Sequence, residues 1–118
     1  MFKIENKTIK INRGDIGTIT LTIPDHTFQK GDVITLGVYT KKGLQKESKL
    51  LKNVVVEEAT TSVDIPLTKE DTTIDEIQNK PITYWYEIQL NHEQTVVGYD
   101  DESTADFILY PEGSDIKW

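Results

Sequence analysis

The chain has 118 residues, no cysteine and a formal net charge of −7. That length fits one domain able to bury roughly two thirds of its unfolded surface. Nucleic acid and anionic membrane are poor partners for this charge balance, and the missing thiols exclude disulfides, thiolate nucleophiles and the usual structural zinc.

From the start, Met1-Phe2-Lys3-Ile4-Glu5 lacks the basic region and apolar run of a secretory signal. No apolar run anywhere approaches the ~18 residues of a membrane span. Phe2 and Ile4 are spaced for a short strand, and Thr8 to Ile11 alternates polar with apolar as a second. Arg13-Gly14-Asp15 interrupts this with a Gly-centred turn. Thr18 to Ile23 then alternates cleanly with Ile19, Leu21 and Ile23 inward, so a strand, a tight connection and another strand are expected. Pro24 ends it, having no ladder donor.

After a polar connection, Val33 to Thr40 sets Ile34, Leu36 and Val38 on one face and Tyr39 on the other. Lys41 to Ser48 is a loop holding the densest basic spot, Lys41-Lys42. Leu50 to Glu57, rich in valine, is a further strand. Ser62 to Leu67 turns Val63, Ile65 and Leu67 to one side, and Pro66 on the other favours an edge or a strand end. Thr68 to Thr73 is the one helical candidate. A Thr68 cap with Asp71 three positions on approximates a capping box, and a single turn is expected because short isolated helices are marginal.

Pro81 to Leu90 dominates the pattern. Ile82, Tyr84, Tyr86, Ile88 and Leu90 share one side of a two-residue period, and Thr83, Trp85, Glu87 and Gln89 share the other. Such a segment predicts the central strand of an antiparallel sheet. Asn91 to Gln94 follows as a hairpin loop, Thr95 to Tyr99 returns, and Ala105 to Tyr110 is the last strand. Seven to nine short strands over this length predict an all-β, immunoglobulin-like antiparallel β-sandwich spanning 1–112, with a tail at 113–118. A small barrel is the alternative.

Chemistry is sparse. His26 and His92 fall in predicted loops, no serine sits in a nucleophile-elbow context, and no HExxH or phosphate-cradling glycine pattern occurs, so no enzyme, catalytic residue or cofactor is expected. Asp100-Asp101-Glu102 with Asp106 could offer oxygens to calcium, but the spacing is not that of an EF-hand and adjacent acids more often form a solvated turn; no metal site is expected. Arg13-Gly14-Asp15 matches the integrin tripeptide, yet a turn alone explains its Gly and Asp. Alternation turns Trp85, Tyr39 and Tyr110 away from the predicted core side. With the terminal Trp118 they are the interface candidates, aromatic rings being favoured anchors. Lys49, Lys52 and Pro66 could guard exposed strand edges.

Four segments resemble a known family. Thr8-Ile-Lys-Ile-Asn-Arg-Gly-Asp15 followed by Thr18-Ile-Thr-Leu-Thr-Ile23 is similar to the opening of the N-terminal domain of phage baseplate upper proteins. Val63-Asp-Ile-Pro-Leu-Thr-Lys-Glu-Asp-Thr72, Tyr84-Trp-Tyr-Glu-Ile-Gln-Leu90 and Phe107-Ile-Leu109 resemble later segments of those domains, in the same order. The likeness covers nearly the whole chain, through short motifs. It implies an immunoglobulin-like module of a phage or prophage tail, made in the bacterial cytoplasm and incorporated in the virion. Its expected partners are other baseplate proteins and further copies of itself. Family members continue into a coiled coil or fibre-bearing region, whereas this sequence stops at Trp118. An excised domain, a free-standing accessory virion protein and a prophage remnant all fit that departure, and receptor binding is not carried over. The alternative from another class is a carbohydrate-binding or adhesin domain using a loop end or the Trp85 face.

Overall fold

The computed structural model describes residues 2–5, 8–40, 48–74, 80–97 and 105–111. Within them run nine strands: β1 (Phe2–Glu5), β2 (Thr8–Asn12), β3 (Gly17–Thr22), β4 (Val33–Tyr39), β5 (Ser48–Val55), β6 (Ser62–Leu67), β7 (Ile82–Leu90), β8 (Gln94–Val97) and β9 (Asp106–Tyr110). Trp118, Tyr99, the acids Asp100 to Glu102, the 113–118 tail and the Lys41-Lys42 tip lie outside the described residues.

The strand at 82–90 is central, as its length and apolar density predict. β7 bonds to β4 through residues 85–90, to β9 through 82–85 and to β8 through 88–90. The large sheet therefore runs β1-β2-β9-β7-β4-β5, with β8 beside β7, and β3 and β6 form a separate two-stranded sheet. Parity decides which residues go inside. Ile9 and Ile11 of β2, Ile34, Leu36 and Val38 of β4, Tyr84, Tyr86 and Ile88 of β7, and Phe107 and Leu109 of β9 form one wall. Ile19 and Leu21 of β3 with Val63, Ile65 and Leu67 of β6 close over it, and all are buried in one cluster. Two apolar sheet faces packed together make an all-β sandwich.

Three expectations change in detail. Of the ladders among the described residues, β2–β9 is parallel and the rest are antiparallel. β2 meets β9 from the far end of the chain, so no tight turn imposes an antiparallel approach. The Arg13-Gly14-Asp15 connection is not a hairpin either: β2 lies in the large sheet while β3 pairs with β6, so the turn carries the chain from one layer to the other. At Thr68 to Thr73 the capping pair forms, with Asp71 N–H donating to Thr68 Oγ1 (3.2 Å) and Thr68 N–H to Asp71 Oδ2 (2.8 Å). The residues it caps make hydrogen-bonded turns and no helix, because the run stops before a second turn can propagate.

Candidate interaction surface

Two strands cannot cover a seven-stranded sheet on both sides, so the large sheet keeps an outer face. Its centre is built where β4 and β7 place Tyr39 opposite Trp85. The two rings stack with centroids 4.9 Å apart and a 35° tilt. Trp85 does point away from the core, but it is only 7% exposed and is no open anchor. Tyr39 covers it, and Gly37 makes that cover possible. A Cβ at Gly37 would lie 2.6 Å from Tyr39 Cζ, far inside van der Waals contact. The phenol folds back over the bare backbone, the way aromatic residues shield sheet glycines, and donates to Glu87 Oε1 at 3.3 Å. Burial, helped by the Glu87 charge and hydrogen bond, raises the Tyr39 pKa above its usual value.

Next to this pair lies a polar patch. Thr35 is buried on the outer side and donates from Oγ1 to Asn53 Oδ1 at 2.6 Å, while His92 Nε2 stands 3.5 Å away. Gln89 Nε2 donates to Glu87 Oε1 at 3.5 Å. The hairpin expected at Asn91 to Gln94 is present, with positive φ at Asn91 (53°) and His92 (57°), as short hairpin loops require. Asn91 holds it down: Val33 N–H donates to Asn91 Oδ1 (2.8 Å) and Asn91 Nδ2 donates to Asp32 Oδ1 (3.2 Å). The Gln29 backbone N–H and the Asn91 amide together keep the Asp32 carboxyl below its usual pKa.

The other notable construction is the Arg13-Gly14-Asp15 turn, where Gly14 adopts a φ of 87° that side chains disfavour. Arg13 N–H donates to the Tyr110 carbonyl at 2.8 Å. Gly14 N–H donates to Thr72 Oγ1 at 3.1 Å, and that hydroxyl donates to the Asp15 carbonyl at 2.7 Å. Thr72 is fully buried, a fastening residue that no sequence pattern singles out among its threonine neighbours. Lys52 is no outward edge guard. It points to the inner side of β5 and pairs with Asp71 of the capping turn, with both side chains about four fifths covered. Burial alone would raise the Asp71 pKa; hydrogen bonds from Lys52 and Thr68 outweigh it and hold the carboxyl low.

Tyr110 is half-buried on the outer side of β9, so of the aromatic candidates the described residues bring together only Tyr39 and Trp85. The exposed apolar groups are others: Ile16 (75%), just after the turn, and Leu51 (60%) and Val55 (58%) on the outer side of β5. Parity carried through Leu50 to Glu57 would have found the last two, since Leu50 and Val54 pack on the core. Of these exposed groups, Val55 lines an open groove of about 560 Å³ between β5 and β6, together with Val54, Val56, Val63 and Pro66. Among the described residues no three His, Asp or Glu side chains gather as metal ligands, and no helix is long and apolar enough to cross a membrane. Compared with protein-family models, characterised proteins and solved structures, the chain matches none.

Proposed function

We propose that the chain is a non-enzymatic structural adaptor of a phage or prophage tail baseplate, working in the virion by protein–protein contact. The observation that supports this reading most is where the four family-like segments lie. β2 pairs with β9 and β9 with β7, so Ile9, Phe107 and Tyr84 stand in one row. The Arg-Gly-Asp turn is tied to Thr72, the last residue of the Val63 to Thr72 run. The four segments thus lie together in one contiguous unit. The mechanism is geometric: a stiff two-layer frame holds its turns and outer face in fixed positions for neighbouring proteins. Ile16, exposed beside the fastened turn, and the outer side of β5 are the surfaces best suited to such contact.

Antibody labelling of phage particles purified from the strain that carries the gene tests the reading. Label at the tail tip is the expected result, and its absence from intact particles refutes it. Of the two forms of the sugar-binding alternative, the Trp85 face scarcely offers an open ring, which leaves a loop end. Saturable quenching of tryptophan fluorescence by cell-wall polysaccharide would favour it instead.

A further inference from the structure

Among the described residues the two sheets end in edges of different chemistry. On β6, Pro66 has no N–H, the N–H of Ser62 is taken by Thr60 Oγ1 at 3.3 Å, and the exposed acid Asp64 stands between them. Proline and charge blunt that edge. β5 is eight residues long and ends the large sheet, and among the described residues no strand lies beyond it. Val56 N–H donates to Asp32 at 2.8 Å and its carbonyl accepts from Gly31 N–H at 2.9 Å, so Val56 aims its backbone toward β4. Backbone groups alternate along a strand, so residues 51, 53 and 55 aim theirs off the sheet. The same residues carry the exposed Leu51 and Val55 side chains on the outer face. Lys52, the one charge on the inner side of β5, is already held by Asp71.

The geometry points to a second copy of this chain on that edge, paired antiparallel through β5 about Asn53. In this register Leu51 of each copy faces Val55 of the other, Asn53 faces Asn53, and Lys49 reaches the end where Glu57 of the other copy lies. Centring on Leu51 instead sets Asn53 against Lys49, and centring on Val55 sets Asn53 against Glu57. Only the Asn53 register pairs the two exposed apolar side chains with each other and opposite charges at both ends. Self-complementarity of this kind is what a two-fold interface requires, and a copy of the same segment supplies it. The edge pairing joins two large sheets into one continuous sheet. It stands or falls independently of the tail reading.

The chain has no cysteine, so one introduced thiol reports contact between copies. Asn53→Cys sets two symmetry-related residues about 5.5 Å apart at Cα, within disulfide reach. Leu51→Cys sets its pair four strand positions apart, roughly 14 Å, which is out of reach. Under mild oxidation Asn53→Cys converts to a disulfide-linked dimer, Leu51→Cys alone does not, and adding Val55→Lys to Asn53→Cys abolishes the conversion without changing its melting temperature. Because Asn53 also bonds Thr35, a mixture of Leu51→Cys with Val55→Cys gives a second measurement, expected to yield mixed dimers. Equal conversion of Asn53→Cys and Leu51→Cys, conversion insensitive to Val55→Lys, or absence of mixed dimers overturns the proposal.

Discussion

Thr72→Val removes one hydroxyl and keeps the shape of the side chain. In the folded protein that hydroxyl donates to the Asp15 carbonyl at 2.7 Å and accepts from Gly14 N–H at 3.1 Å, inside a residue with no exposed surface. The valine methyl leaves the Asp15 carbonyl without its donor, and Gly14 N–H keeps only the longer contact to the Thr72 carbonyl at 3.4 Å. A polar group buried without its partner costs about 1–3 kcal/mol, so about 2 kcal/mol is the expected loss. Unfolding entropy of about 2.1 cal/mol/K per residue gives about 0.25 kcal/mol/K for 118 residues. The loss therefore lowers the melting temperature by about 8 °C. Thr73→Val is the control: its hydroxyl reaches only the Glu70 carbonyl, at 3.1 Å near the surface, and its effect should stay within about 0.5 kcal/mol. Calorimetry or a circular dichroism melt reads both. If Thr72→Val melts within about 2 °C of the parent, or Thr73→Val loses as much, the turn is not fastened in the way described.

Gly37→Ala drives a methyl into the Tyr39 ring and should lift it off Trp85, at a cost of about 1–3 kcal/mol. In a Trp118→Phe background, where Trp85 is the only tryptophan left, its emission should shift to the red and become quenchable by acrylamide. Tyrosine absorbance followed with pH should show Tyr86 ionising at about 12, held up by burial and then by Asp106. Since the folded-state pKa of Tyr86 and Tyr39 is raised, the neutral form stabilises the fold fully below pH 10, and that stability is lost as pH climbs from 10 toward 12. Lys52→Met breaks the pair with a mostly covered Asp71 and should cost about 1 kcal/mol at neutral pH. The folded-state pKa of Asp71 is lowered, so its stabilising share is present above the unfolded carboxyl value. It disappears as pH falls through the folded one, and urea titrations of parent and variant should converge in acid.

Strand positions were legible because one face of each strand had to be apolar. Val63, Ile65 and Leu67 alternate with Asp64 and Pro66, and burial follows that alternation residue by residue. Pairing was less legible, because parity says which way a side chain faces and nothing about which strand lies alongside. Thr18 to Thr22 suits a hairpin with β2 as well as its actual ladder with β6. Gly14 and the buried hydroxyl of Thr72 decide the matter, by fixing a turn that crosses between layers. Four threonines stand between positions 60 and 73 besides Thr72 itself, and their spacing gives Thr72 no distinguishing mark.

Trp85 shows why a face and an exposure are separate questions. Alternation along β7 correctly sends its ring to the side opposite Tyr84 and Tyr86. What then covers it comes from β4, through a register that no local pattern encodes: Tyr39 directly across, and Gly37 two residues back leaving space for the ring to lie down. A large residue at 37 would push Tyr39 upright and leave Trp85 open as the anchor its type suggests. The same sheet leaves Leu51 and Val55 uncovered, because among the described residues no strand lies beyond β5 from which a second ring could reach. On this outer face, cover comes from the next strand over, so apolar exposure collects at the edge where the next strand is lacking. That edge, rather than the aromatic centre, is where a partner has apolar surface to bury.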